Sequence, residues 1–364
     1  MITATHEAVL LVGGRGTRLR PLTVRTPKPM LATAGVPFVY HQLSQLRDVG
    51  IDHVVLATAY RPEDFRNGLG DGSALDMEIE YVHEDEPLGT GGAIRNVASL
   101  LRSGPDEPVV ILNADILSGH DLAKQVAAHL DADADVTLHL TEVDDPRAFG
   151  CVPTDAEGRV TAFLEKTPEP VTNRINAGCY VFRRSVVDAI PTGRRVSVER
   201  ETFPELVAGG AVVLGHADQA YWIDVGTPAA YLQGSRDLVT GVLASAALPG
   251  PVGERLLLPG AVVAPDAVVT GGSTVGAGAV VGAGAVVDGS VLLDGAQVGA
   301  GAIVRDSAVG VRAVLGAGVV LDGVVVGDGA EIGDGNELTA GARVWCDARI
   351  PAYAIRFTPD EPNL

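Results

Sequence analysis

The residues best suited to chemistry begin at Leu11. Leu11-Val12-Gly13-Gly14-Arg15-Gly16-Thr17-Arg18-Leu19-Arg20-Pro21 directly follows an apolar run, Ala8–Val12, that reads as a strand. Three glycines let the backbone approach a phosphate closely, and amide N–H groups can cradle its oxygens. Arg15 and Arg18 add charge. Read alone, the segment is equally a tight turn with surface arginines. It matches neither a G-x-x-x-x-G-K-[ST] loop nor G-x-G-x-x-G, since Leu19 stands at the third glycine. Beyond it, Thr26-Pro27-Lys28-Pro29-Met30 holds one lysine between two prolines. A lysine fixed in extended backbone makes a point charge for a phosphate. Val109–Leu112 reads as a buried strand leading to Asp115, a carboxylate suited to Mg²⁺. Asp224, in Trp222-Ile223-Asp224-Val225-Gly226, reads by itself as a helix cap or turn residue.

The elements that must carry these residues fall into two halves. In residues 1–243, strands at Ala8–Val12, Val54–Ala57, Val109–Leu112 and Val136–Leu140 alternate with helices at Phe38–Arg47, Gly92–Leu101, Leu122–Leu130 and Ala229–Thr240. That alternation predicts an α/β, Rossmann-like domain with a mainly parallel mixed sheet and ligands beyond the carboxyl ends of its strands. Residues 244–260, rich in Ala, Pro and Gly, read as a linker. In residues 261–364 aliphatic residues recur every six positions (Val263, Val269, Val275, Val281, Val287, Leu293), with one-residue slips before Val298, Val309 and Val326. Period six predicts a hexapeptide-repeat parallel β-helix of about five coils.

Composition narrows the class. The 364 residues carry 27 Lys+Arg against 46 Asp+Glu, a net charge of −19, and no basic block, so nucleic acid is not expected as a partner. Three dispersed cysteines indicate neither a disulfide framework nor a zinc knuckle, and a reducing cytoplasm is expected. The uncharged stretch Ala267–Val287 has the length of a membrane span, but its regularly spaced glycines suit a helix poorly, so no membrane is expected.

G-G-x-G-T-R-L-x-P-L-T followed by P-K-P resembles the sugar-1-phosphate nucleotidyltransferases. H-E-x-E-P-L-G-T, I-N-A-G, S-V-E-R-E-x-F-P and W-I-D-V-G-x-P together look most like mannose-1-phosphate guanylyltransferases, over nearly the whole chain. The resemblance implies a left-handed β-helix and condensation of GTP with mannose 1-phosphate to GDP-mannose and pyrophosphate. It implies catalytic roles for Arg18 and Lys28. Leu11, Gly13, Gly14, Arg15, Gly16, Thr17, Arg18, Gly89 and Thr90 would bind the nucleotide, and Asp115 and Asp224 would hold Mg²⁺. Glu165, Lys166, Asn176 and Gly150 would bind the sugar phosphate. The Glu165-Lys166 block departs from the family's E-K-P at Thr167, and Phe149 stands where many relatives have Tyr. Guanine offers two adjacent donors that one carboxylate can accept, a role given to Glu84 with Glu86 as fallback, although the segment is equally an acidic solvated loop. A thymidylyl- or uridylyltransferase, a guanylyltransferase for another sugar or cyclitol phosphate, and a non-catalytic nucleotide-sugar-binding subunit are the alternatives. An acyltransferase in the β-helix is disfavoured because that half has neither histidine nor lysine. A homo-oligomer joined through the β-helix is expected.

Overall fold

The computed structural model describes residues 5–339 and 341–356; residues 357–364, assigned above to the repeat domain, lie outside the described residues. Its contacts divide the chain into two units, Met1–Gly14 with Gln42–Trp222, and Arg15–His41 with Ile223–Leu364. The pattern of residue types changes once along the chain, whereas the contacts divide it at three places.

The first unit is built on a mixed nine-stranded sheet. Its parallel centre comprises Pro108–Asn113, Glu7–Leu11, His53–Thr58 and Glu78–His83 in that order. All six residues of His53–Thr58 are buried, as an apolar run covered on both faces requires. Arg174–Arg183 adds antiparallel to Pro108–Asn113 and to Val136–Glu142, and Val213–Ala217 pairs parallel with the latter. Val9, Val55, Ile111, Leu138, Tyr180 and Phe203 share one core. The helix foreseen at Gly92–Leu101 begins earlier, at Gly89, and ends at Asn96, followed by a separate 3-10 turn at Ala98–Leu100. β-Branched Val97 stands between the two.

The second unit contains the parallel β-helix foreseen from the six-residue period: three sheets of six, six and five short strands. The register opens and closes with coils of eighteen residues and has coils of seventeen between: Val262 pairs with Val280, Val280 with Gln297, Gln297 with Val314, Val314 with Glu331, and Glu331 with Arg349. One slip falls elsewhere than the pattern suggested. Leu292, not Leu293, stacks between Val275 and Val309, because the ladder fixes which residue turns inward. The shortened corners are closed by a serine ladder, in which the N–H groups of Ser290, Ser307 and Val324 donate to Oγ of Ser273, Ser290 and Ser307.

The helix Pro228–Thr240 in this unit is well delimited. The Thr227 hydroxyl accepts from Ala230 N–H, Pro228 takes the first position and Gly241 leaves in the left-handed region. It lies on the first coils, with Arg236 paired to Asp306 at 3.0 Å. The segment Arg15–His41 is tied to the same body. Arg25 pairs with Asp347, Arg343 donates to Arg20 O at 2.6 Å and Tyr231 Oη donates to Ala32 O at 2.6 Å.

Candidate active site

In the second unit, two cations and one carboxylate meet. Gly16 has φ 57 and opens a 3-10 turn, Thr17–Leu19, while Thr23 Oγ1 donates to its carbonyl at 2.7 Å. A Cβ on Gly16 would stand 3.0 Å from Lys28 Cβ, so the glycine lets the loop lie over the lysine. Lys28, between its two prolines, is buried. Its Nζ is 3.8 Å from Asp224 Oδ1, and Arg18 Nη2 is 4.0 Å from Asp224 Oδ2. A buried ammonium is costly without a countercharge, which Asp224 supplies. Arg18 is 65% exposed, so its pairing adds little stability and leaves the guanidinium accessible. Arg15 is exposed beside it in sequence.

The remaining candidates lie in the first unit. Leu11 ends the first strand, and its carbonyl accepts from Ala114 N–H at 3.2 Å. Gly13 passes close to Ala59, where a Cβ would stand at 3.3 Å; nothing crowds Gly14. Asp115 is half-buried, just beyond the carboxyl end of Pro108–Asn113. Asp115 and Asp224 thus belong to different units. As carboxylates at the ends of strands, both offer the hard oxygen donors that suit a divalent ion such as Mg²⁺.

Glu84 is buried and Glu86 exposed. One Glu84 oxygen accepts from Leu88 N–H at 3.1 Å, and the other, Oε1, is buried with no partner among the described residues. Burial pushes its pKa up, opposed by that backbone hydrogen bond. Gly89 has φ 74 and would collide through a Cβ with Val196 O. Thr90 Oγ1 donates to Glu199 at 2.7 Å and accepts from Val198 N–H. The S-V-E-R-E block therefore braces the turn that follows Glu84, a role its sequence did not reveal.

The sugar-phosphate candidates gather in the same unit. A Cβ on Gly150 would stand 3.0 Å from Glu165 Oε2. Lys166 sits at φ 50, which residues bearing a side chain rarely adopt, with its N–H on Phe149 O and its Nζ 3.6 Å from Glu165. Asn176 stands at a register shift in Arg174–Arg183, where Gly178 takes φ 78. Such a bulge re-aims side chains. Asn176 Oδ1 accepts from Gly178 N–H and its Nδ2 donates to Tyr180 Oη at 2.8 Å. Phe149, lacking a hydroxyl, packs edge-on to Trp222 at 5.5 Å, and Trp222 donates to Ala177 O. Tyr180 lies outside every motif quoted above, and Gly226, beside the Arg18 guanidinium, is marked only by W-I-D-V-G-x-P.

The Nucleotidyl transferase family model matches residues 7–241, and that of the GMPPB C-terminal domain residues 252–346. The chain belongs to the mannose-1-phosphate guanylyltransferase family of nucleotidyl transferases. A mannose-1-phosphate guanylyltransferase of Mycobacterium tuberculosis is 54% identical over 98% of this chain and 99% of its own length. An Arabidopsis thaliana protein of the same description is 40% identical over 63% of this chain and 64% of its own. Among solved structures, HddC of Yersinia pseudotuberculosis complexed with GMP-PN is 28% identical with a TM-score of 0.55, covering 64% of this chain and 99% of that one. As a nucleotidyl transferase of this family the chain has the expected Rossmann-like domain and a repeat region consistent with a left-handed β-helix. No helix of the described residues is long and apolar enough to cross a membrane.

Proposed function

We propose that the chain condenses GTP with mannose 1-phosphate, giving GDP-mannose and pyrophosphate. The observation that carries the reading is the 54% identity, along 98% of the chain, to a mannose-1-phosphate guanylyltransferase. The nucleophile is a phosphate whose second pKa is about 6, so it needs no general base near neutral pH. The obstacle is charge, since two polyanions must meet and pyrophosphate must leave. Arg18 and Lys28 neutralise the triphosphate, exchanging Asp224 for phosphate oxygens. The peptide groups of Leu11, Gly13, Gly14, Arg15, Gly16 and Thr17 pass alongside it. Lys166 holds the acceptor phosphate, and Glu165, Asn176 and the Gly150 backbone face the sugar. Glu84 accepts from the guanine edge beside Gly89 and Thr90. Asp115 and Asp224 would hold Mg²⁺, which would supply charge neutralisation for the leaving pyrophosphate.

The deciding experiment incubates the chain with each nucleoside triphosphate against mannose, glucose and N-acetylglucosamine 1-phosphates, with and without Mg²⁺, following pyrophosphate release. Release confined to GTP, mannose 1-phosphate and Mg²⁺ supports the reading. Preference for dTTP or UTP, or for another sugar, replaces it. No release with any pair would indicate a binding subunit.

The reading places the chain in the cytoplasm as a homo-oligomer joined through the β-helix. Val268, Val286, Ile303 and Val320 form an outward ladder of apolar side chains that supports this. Sedimentation showing a monomer alone would remove the oligomer.

A further inference from the structure

Downstream of Asp115 the chain forms the short strand Ile116–Ser118 and reaches His120, which is buried. His120 Nδ1 lies 2.6 Å from Asp218 Oδ2, and its Nε2 lies 2.8 Å from Gln125 Oε1. The Gln125 amide is not free to turn. Its Nε2 donates to the carbonyls of Thr137 at 3.0 Å and Cys179 at 3.4 Å, and Cys179 Sγ donates to its oxygen. Gln125 therefore presents an acceptor to His120, and His120 Nε2 carries a hydrogen.

Asp218 accepts from every neighbour: His120, His139 Nε2 at 3.0 Å and Ala220 N–H at 3.2 Å. Burial alone would raise its pKa, but the hydrogen bonds from the two histidines hold it at about 2. Both ring nitrogens of His120 therefore face acceptors, Asp218 on one side and Gln125 on the other. His139 is the converse. It donates through Nε2, while its Nδ1 is buried with no partner among the described residues, as in a neutral ring. The two rings stack at 3.7 Å and 16°. His216 meets His120 edge-on at 5.5 Å, and Asp121, Lys124 and Cys179 are the other titratable groups near the cluster.

His120, His139 and Asp218 also bring three ligand atoms within 4.8 Å of one another. They do not make a metal site in this arrangement. An ion lies in the plane of each imidazole that binds it, and two nearly parallel rings 3.7 Å apart share no such point.

We propose that the buried His120–Asp218 ion pair, held in its charge state by Gln125, is a clamp that positions Asp115. It ties the segment leaving Asp115 to the segment entering Trp222, and the tie is doubled by Gly119 N–H on Tyr221 O at 2.9 Å. Asp115 precedes His120 by five residues, and Trp222 follows Asp218 by four. A clamp made of charge within a covered site resists sliding, because separating the pair leaves two uncompensated ions. The inference rests on the reading of Asp115 as a holder of Mg²⁺.

Two measurements on the full chain test it. In Asp218→Asn, the Mg²⁺ concentration for half-maximal pyrophosphate release should rise about tenfold or more, with the KM for GTP changed less than about twofold. A role in folding alone would lower the active fraction without moving that concentration. Should Asp218→Asn not fold, His139→Phe keeps the stack, removes one bond to Asp218 and should move Mg²⁺ activation in the same direction. Independently, ¹⁵N spectra of the ring nitrogens at pH 7.5, assigned by loss in His120→Gln, should show both His120 nitrogens protonated and one His139 nitrogen bare. A neutral His120, or unchanged Mg²⁺ activation in a folded variant, overturns the clamp. If the wild type releases no pyrophosphate, the functional reading fails, and the nitrogen spectrum still decides the ion pair.

Discussion

Lys28 Nζ stands 3.8 Å from Asp224 Oδ1, and the lysine is buried while the aspartate is a quarter exposed. Asp224 is therefore a resting partner of the cation proposed above to take up the triphosphate. Asp224→Asn should lower kcat/KM for GTP by about a hundredfold or more, since it removes an oxygen donor and a negative charge beside Lys28 and Arg18. Asp115→Asn should lower turnover comparably while melting within a few degrees of the wild type. Full Mg²⁺-dependent activity in Asp115→Asn, measured by pyrophosphate release, would contradict the metal assignment.

Gly226 is where Arg18 rests. A Cβ there would fall on the Arg18 guanidinium and stand 2.9 Å from Asp224 Oδ1. The guanidinium is the far end of a flexible, exposed side chain, so it can move aside at little cost in stability. Gly226→Ala should therefore melt within a few degrees of the wild type and lose about tenfold in kcat/KM for GTP. Steady-state kinetics beside a thermal melt check both halves. Unchanged kinetics would show that Arg18 acts elsewhere.

The parts of this architecture with a period were legible in the sequence. Alternating apolar runs and amphipathic segments marked the sheet, and the six-residue spacing marked the coils, because burial writes itself into residue type at fixed intervals. The Gly-Arg turn, Lys28 and Asp224 were legible as motifs. What stayed hidden depends on distant backbone. Leu292 and Leu293 are equivalent until a ladder chooses one. The grouping of Arg15–His41 with the coils follows from Arg25, Arg343 and Tyr231 reaching partners up to 323 residues away. His120, His139 and Asp218 have no motif spacing, and only the fold brings them together.

Acid should weaken the fold from about pH 6.5 downward, where the histidines of the unfolded chain begin to take up protons. Burial holds both His129 and His139 at about 4, below the ordinary 6.5. Between those values the unfolded chain binds protons that the native chain refuses, so stability rises with pH there. The contribution is complete above 6.5 and is lost as pH falls through 4. A depression of that size amounts to about 3 kcal/mol for each residue as an upper figure. Urea midpoints should fall steadily from pH 6.5 to pH 4, and His129→Gln should flatten the slope. A midpoint constant over that range would show that these rings are hydrated.

Glu84 is the sharpest test of nucleotide choice. Its Oε2 is engaged by Leu88 N–H, while Oε1 is buried with no partner among the described residues. A buried acceptor left unmatched costs free energy, and a ligand offering donors recovers it. Guanine presents N1–H and N2–H₂ side by side; uracil and thymine present a donor flanked by carbonyls. Glu84→Gln replaces one acceptor by a donor, so GTP should lose while UTP and dTTP lose less or gain. The expected shift in the ratio of kcat/KM values is about ten- to a hundredfold, the range for one mismatched polar contact in a covered site. Competition assays with paired triphosphates at fixed mannose 1-phosphate measure it directly. An unchanged ratio would remove Glu84 as the reader of the base and leave only the Leu88 turn to account for its burial.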